Sequence, residues 1–512
     1  MNKIFITAED MENTGQPPEM AGAVAGQRVA FIFLRGGILV RNFVNQEMLR
    51  LLRNSGHLFV IFSPDPDHPY LKRHFSAPCF VLAKMETATA SQALWATRWR
   101  SFLVQVRRFT YGNTRFAENG CRRSLITALE REQMASSSFV GRLFYRSILW
   151  VAAAASRWRP IRRLLARIEN VTVPFSAHED FYQRYEPDMA VVTSLGFDVD
   201  TPVMREAHKH GARTTVLIKN WDVPTTRGIG GVMPDNVLVW NDEMHDEVVR
   251  YHDVPARCIG ISGVSQWDHY FRSDAPVCDR DSFLRRYGLR PDRRTIYFAM
   301  TTPSHYKYNV TLARMLLEAM RDGRLAGETQ LLVRLHPAYV LIGGMLSDEI
   351  RDELKALERE FGGCLAFSLP TSEEYSGFVI PGDGDDTDLK EILTHSDAMV
   401  TIYSTQILEG MIFDLPIINA GMFAFRDTGL PIATYEAWDH IRQVLDRDAV
   451  AYCYTMDEVV TAINDALSDP ARGAAARRRI TGQLFPESLR GRGGEESGRQ
   501  LLALMETGRP AS

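Results

Sequence analysis

From Arg28 to Ala420 short apolar runs alternate with helix-length stretches, and the alternation runs through twice. Parallel strands read this way, because each needs a crossover to return the chain and both faces of the sheet are then covered. The first set is Arg28–Leu34, Leu58–Ser63, Cys79–Ala83, Met189–Thr193, Thr214–Ile218, Asn236–Trp240 and Cys258–Ser262. The second is Thr295–Ala299, Gln330–Leu335, Cys364–Phe367, Ala398–Tyr403 and Ile417–Ala420. Between them Asp268–Arg294 is polar, carries Pro276 and Pro291, and has room for one short helix, Ser282–Tyr287. The 512 residues exceed one ordinary core, so the chain is expected to form two doubly wound, Rossmann-like α/β domains facing a cleft. The expected division is a flexible leader (1–27), a first domain (28–275) with a helical insertion at about 91–170, a second domain (290–480), and a C-terminal helix and tail (481–512).

Hydrophobic content of 45% and charged content of 24% are those of a globular protein, and a net charge of −4 argues against a general nucleic-acid binder. The charge is uneven. Arg98–Arg167 holds fifteen Arg, no Lys and three acidic residues, interleaved with Trp99, Phe102, Phe109, Phe144, Tyr145, Trp150 and Trp158. Such a block suits an anionic membrane surface, an acidic polymer or a lipid-diphosphate acceptor, or it is a solvated insertion with its own small core. The six cysteines form no C-x-x-C pair or Cys/His cluster, so no zinc site is expected, and scattered thiols fit a reducing cytoplasm. The sequence MNKIFITAEDMENTGQ turns acidic early for a signal peptide, and the longest apolar run, Ser147–Ser156, is short for a membrane span. The expected location is the cytoplasm, reaching the inner face of the membrane if the basic block docks there.

The richest motif is Ser396–Gly421, which reads as a buried strand, a Ser404-Thr405 turn, a short helix carrying Glu409, and a second buried strand. Free N–H groups at such a turn collect anions, and Glu409 lies one helical turn past Thr405 on a helix otherwise lined with Ile407, Leu408, Met411 and Ile412. A carboxylate there calls for a partner, so Ser404, Thr405 and Glu409 are candidates for a nucleotide diphosphate and its ribose. His336, in Leu335-His336-Pro337 at a strand end, is a candidate for a phosphate or base contact. In the first domain Lys219–Gly228 follows a strand and offers Asn220, Asp222, Thr226 and Arg227 to the cleft. Asp198 is a candidate general base, with Asp222 the second candidate catalytic carboxylate, whereas Asp200 is suited to capping a helix that begins at Pro202. Arg35-Gly36-Gly37 lacks the G-x-G-x-x-G spacing, and Gly36 and Gly37 are read as a turn that lets a substrate approach the backbone. The pairs Asp65/Asp67, Asp198/Asp200 and Asp383/Asp385 have D-x-D spacing without supporting context, and no metal is expected there.

The run Asp388-Leu389, Ser396-Asp397, Tyr403-Ser404-Thr405, Glu409 and Leu415-Pro416 resembles the second domain of GT-B type glycosyltransferases of bacterial surface-polysaccharide biosynthesis. It is similar also to CDP-glycerol glycerophosphotransferases, whose Leu-His-Pro strand end matches Leu335–Pro337. Asn220-Trp221-Asp222 through Tyr270-Phe271 resembles the first-domain end of uncharacterised carbohydrate-biosynthesis proteins. The resemblance implies a donor nucleotide on His336, Ser404, Thr405 and Glu409, with Thr301 and Thr302 beside the diphosphate, and an acceptor and base in the first domain. It implies a metal-independent transferase with no cofactor beyond a nucleotide-sugar co-substrate, acting on a cell-envelope glycan or lipid-linked acceptor. The alternatives are transfer of glycerol phosphate from CDP-glycerol and a catalytically silent GT-B-like glycan-binding or assembly protein. The non-hydrolysing UDP-N-acetylglucosamine 2-epimerases share the architecture, but their usual histidine and arginine motifs are not found in this sequence.

Overall fold

The computed structural model describes residues 27–86, 103, 106, 138–155, 158–172, 175–196, 200–226, 230–272, 277–303, 306–339, 348–375, 378–382, 384–422, 436 and 439–507. The leader, most of the basic block, Asp198, Arg227 and Asp383 fall outside them.

Seven parallel strands form the first sheet: β1 (Val29–Phe33), β2 (Leu58–Ser63), β3 (Phe80–Lys84), β4 (Met189–Val192), β5 (Arg213–Leu217), β6 (Asn236–Val239) and β7 (Ile259–Ile261). Their order is β3-β2-β1-β4-β5-β6-β7. Strands β8 (Arg294–Ala299), β9 (Thr329–Arg334), β10 (Leu365–Ser368), β13 (Ala398–Thr401), β14 (Ile417–Ala420) and β15 (Val450–Cys453) make the second, in the order β10-β9-β8-β13-β14-β15. Each sheet therefore runs outward from its first strand to one edge, then returns to build the other side. That reversal leaves a crevice between β1 and β4 and another between β8 and β13, where such sheets bind ligands. Most of the strands are buried along their length, as β2 and β9 are, and in β2 this explains an almost unbroken apolar run.

Three elements depart from the sequence expectation. A short helix, Gly37–Phe43, follows β1 directly where a glycine turn is expected, and a second, Gln46–Asn54, starts afresh because the Asn45 side chain accepts from Glu47 N and Met48 N and caps it. An unexpected antiparallel hairpin, β11 (Ser372–Tyr375) with β12 (Phe378–Pro381), lies against helix Gly37–Phe43. Strand β15 and the helix Met456–Ser468 complete the second sheet's edge, and Thr455 with Glu458 forms a capping box at that helix.

The halves share one apolar core around Trp267, Tyr270 and Phe485. Trp267 packs edge-on to Trp240 and Phe485, and Tyr270 packs on Phe413. The final helix, Gly493–Glu506, leaves the second half and packs on Gln46–Asn54 of the first. Asp268 accepts from both Gly493 N and Gly494 N at 2.7 Å and from Asn45 Nδ2 at 2.9 Å. A Cβ on Gly493 would stand 2.7 Å from Ser265 N, so only glycine permits this approach.

Candidate functional site

Elements at the carboxyl ends of the two sheets meet across a seam. In the second half β8 runs into Thr301 and Thr302. Asn309, fully buried, fixes that loop: its Oδ1 accepts from Thr301 N at 3.2 Å, and its Nδ2 donates to Thr301 O, Tyr306 O and Tyr339 Oη. After β9, His336 Nδ1 accepts from Ala338 N at 3.1 Å, which leaves the proton of a neutral ring on Nε2. Arg334, at the strand's last position, is buried and donates to Ser368, Asp385 and Asp388. Asp388 also takes Tyr287 Oη at 2.6 Å, so this acidic residue of the second-domain motif clamps strand ends together.

Strand β13 ends at Thr401, two residues earlier than expected. Tyr403 has φ of 38°, a left-handed conformation rare in a residue with a side chain, and its N–H donates to Asn419 Oδ1 at 2.6 Å. This sharp turn aims Ser404 and Thr405 at the seam. Ser404 Oγ accepts from Gln406 N at 3.2 Å; Thr405 stands at the cap of helix Gln406–Ile412 without a side-chain cap bond. That helix has only seven residues, so any anion affinity of the turn depends mainly on local N–H and hydroxyl groups rather than on a long dipole.

Glu409 is only 5% exposed; its Oε2 receives no well-aligned hydrogen bond, although the Trp267 indole lies close enough to favour the carboxylate. Burial pushes its carboxyl up to about 7, even though Arg41 and Arg334 pull it down. Arg41 comes from the first half, on helix Gly37–Phe43, and ion-pairs with Asp386 of the second. Burial works against its charge, but Asp386, Tyr270 and Glu409 outweigh that and raise its pKa. Other buried polar atoms around this point also lack well-aligned partners: Arg41 Nε, His269 Nε2 and Tyr270 Oη. An unmade buried hydrogen bond costs roughly 1–3 kcal/mol, so a concentration of them at one seam marks a place made for something polar.

In the first half Gly36 stands at the bend from β1 into helix Gly37–Phe43, as its extended N-cap with φ of −147°, so its backbone conformation alone does not require glycine. Asn220 Oδ1 accepts from Trp221 N at 3.0 Å, and Trp221 is buried beneath its loop. Asp222 is half-buried, and its carbonyl accepts from Thr225. Thr226 ends the short helix Val223–Thr226. This segment faces the second half, since Thr225 Oγ1 lies 3.0 Å from His440 Nδ1 and Trp221 meets the same ring edge-on at 5.0 Å. The helix expected to begin at Pro202 begins at Asp200. Asp200 is buried at the β1/β4 crevice, takes a hydrogen bond from the Ser194 backbone, and has Lys219 and Arg35 nearby. Burial outweighs those cations and pushes its carboxyl up to about 6. Of the paired aspartates, Asp67 is bonded to Lys72 at 2.8 Å and Asp385 to Arg334 at 2.6 Å.

The structure thus brings Ser404, Thr405, Glu409, Thr301, Thr302 and His336 to the carboxyl end of one sheet, and Gly36, Gly37, Asn220, Asp222 and Thr226 to that of the other. Sequence reasoning passed over Arg41, Arg334, Asn309 and Asp386. Arg334 was the most accessible of these, as a charged residue closing an otherwise apolar strand.

No protein-family model and no curated protein matches this chain. Solved structures do. A glycosyltransferase from Rickettsia africae is 10% identical over 93% of this chain and 99% of its own, with a TM-score of 0.47. The UDP-GlcNAc 2-epimerase of Methanocaldococcus jannaschii is 9% identical over 93% and 99%, with a TM-score of 0.49. That of Neisseria meningitidis, bound to UDP-GlcNAc, is 10% identical over 93% and 100%, with a TM-score of 0.48. In its own topology, two doubly wound parallel sheets meeting at their carboxyl ends, the chain has the GT-B fold.

Proposed function

We propose that the protein transfers a sugar from a nucleotide-sugar donor, held by the second half, to a cell-envelope glycan or lipid-linked acceptor held by the first. The observation that carries this reading is Glu409, a carboxylate buried at a strand-to-helix turn with one oxygen that receives no well-aligned hydrogen bond. A ribose hydroxyl is a donor of the right kind for it, and a diphosphate suits the N–H and hydroxyl groups of Thr301, Thr302, Ser404 and Thr405. His336, with its Nε2 proton, would donate to the base or a phosphate. Charge that develops on the departing diphosphate would then meet preset donors, which lowers the barrier without reorganisation. The proton of the acceptor hydroxyl would pass to a carboxylate of the first half: Asp198 or Asp222, or Asp200, whose raised pKa suits a base acting near neutrality.

Thermal shift against a panel of nucleotide sugars and CDP-glycerol tests the reading. A ligand at a hundred times its Kd stabilises the folded chain by about 2.7 kcal/mol. His336→Ala and Glu409→Gln are each expected to abolish the shift given by the preferred donor. A shift that survives both variants would place the donor elsewhere.

A further inference from the structure

The helices Phe139–Ala155 and Arg159–Thr172 pack on each other and turn an unusual face outward. On the first, Ile148, Ala152 and Ala155 are buried, whereas Phe139, Leu143, Arg146 and Trp150, spaced i, i+4, i+7 and i+11 on the opposite face, are exposed. Trp150 is 77% exposed. Ten large apolar side chains are strongly exposed among the described residues, and eight of them lie on or between these two helices. Isolated exposed apolar residues need no explanation, but a concentration of this kind marks an interaction surface.

The same face is cationic. Residues 139–172 contain seven Arg, no Lys and one acidic residue, Glu169, in a chain whose net charge is −4. Glu169 is itself held by Arg205 at 3.0 Å. Beside the exposed stripe Leu164, Ile168 and Val171 runs a second stripe, Arg163, Ala166, Arg167 and Asn170, which forms one wall of a cavity of about 340 Å³. Gly230, Gly231 and Met233 form the other wall. Its floor is rigid, because Arg162 is fully buried and gives Asp253 two hydrogen bonds, at 2.8 and 2.9 Å. A Cβ on Gly231 would stand 2.6 Å from Glu169 Oε1 and 2.9 Å from Thr201 Cγ2, so the glycine keeps the cavity's wall close to helix Arg159–Thr172. Arg163 and Arg167 are exposed and pair with no acidic side chain among the described residues.

We propose that this face docks on an anionic lipid bilayer, with a lipid phosphate held between Arg163 and Arg167 and the Phe139, Leu143 and Trp150 side chains seated among the headgroups. An apolar stripe beside unpaired guanidinium groups is complementary to a surface with anionic phosphates above hydrocarbon, and neither feature alone calls for that partner. The pocket's glycine wall approaches Thr201, just past the carboxyl end of β4, so a lipid held there lies beside the half of the seam assigned above to the acceptor. Docking does not depend on donor binding and is tested without it.

The test is flotation of the full-length chain with vesicles of phosphatidylcholine alone and of phosphatidylcholine mixed with phosphatidylglycerol. Binding is expected only with the mixed vesicles, and it should weaken as salt rises. The double variant Arg163→Glu/Arg167→Glu should lose affinity by about thirtyfold or more. Leu143→Ser/Trp150→Ser should also lose binding while keeping the wild-type circular-dichroism melt. Equal binding to both vesicle types, or undiminished binding by either double variant, overturns the proposal. Inorganic phosphate that raises the melting temperature of a chain that floats with no vesicle would mean a soluble-anion pocket, which also overturns it.

Discussion

Two regions of this protein break the usual rules of burial, in opposite directions. At the seam, polar atoms of Arg41, Tyr270 and Glu409 are buried without well-aligned partners. On the helix pair, Phe139, Leu143 and Trp150 are exposed without cover. The first kind of exception is costly to the folded state and persists where a polar ligand completes it. The second costs little in the isolated chain and is relieved by a surface rather than by a small molecule. On the function and the docking proposed above, these two exceptions would serve one task, bringing a polar, water-borne donor to an acceptor carried at an apolar boundary.

The largest effect is expected beneath the helix pair, at the buried floor of its cavity. Asp253→Asn preserves the left-handed backbone at φ of 58° but removes the counter-charge of buried Arg162, and should cost about 3–5 kcal/mol in chemical denaturation. Glu409→Gln is next and separates function from stability. The folded pKa of about 7 lies above the unfolded value of 4.5, so the folded state holds the extra proton and wild-type stability falls as pH rises between them. The variant should therefore melt higher than wild type at about pH 8, by the equivalent of about 3 kcal/mol at most, and match it at about pH 4. A variant that loses donor binding yet melts higher would mark the seam as a ligand site; one that melts lower would mark it as structural. Among the seam histidines, His269 is half-buried with its ring Nε2 out of reach of water, and its pKa is lowered to about 4, chiefly by desolvation. Its neutral form is the one that folds, so His269 should contribute to a loss of stability as pH drops below about 6.5, visible as a gap from His269→Gln that narrows with acidification. The smallest effect belongs to the helix pair: Trp150→Ser should change stability by no more than about 0.5 kcal/mol.

The strands were readable because parallel strands buried on both faces are written as unbroken apolar runs, and Leu58–Ser63 and Ile417–Ala420 match to the residue. The hairpin β11–β12 escaped because Ser372–Pro381 is polar at one end and ends in Pro-Gly, although the Ser376-Gly377 pair between two short runs is a turn signal. Strand β15 escaped similarly, though the Thr455–Glu458 capping box announces the helix after it. Positions in the candidate site could be read wherever they follow a strand, as His336, Ser404 and Asn220 do. Arg41, Asp386 and Asp200 were not, because their importance lies in meeting residues hundreds of positions away or in the loss of water around them. No local pattern records either.

The last helix, Gly493–Glu506, has a consequence for how the chain is made. Its partner, Gln46–Asn54, emerges from the ribosome more than four hundred residues earlier, and Met48 and Leu51, which lie against Gly498 in the finished fold, must wait for that helix to be made. The first half is thus completed only after the second has been made, by the segment that also ties the second half to it. Cutting the polypeptide between the halves would give two unequal fragments, one of them missing its own lid, and only co-expression would be expected to restore it.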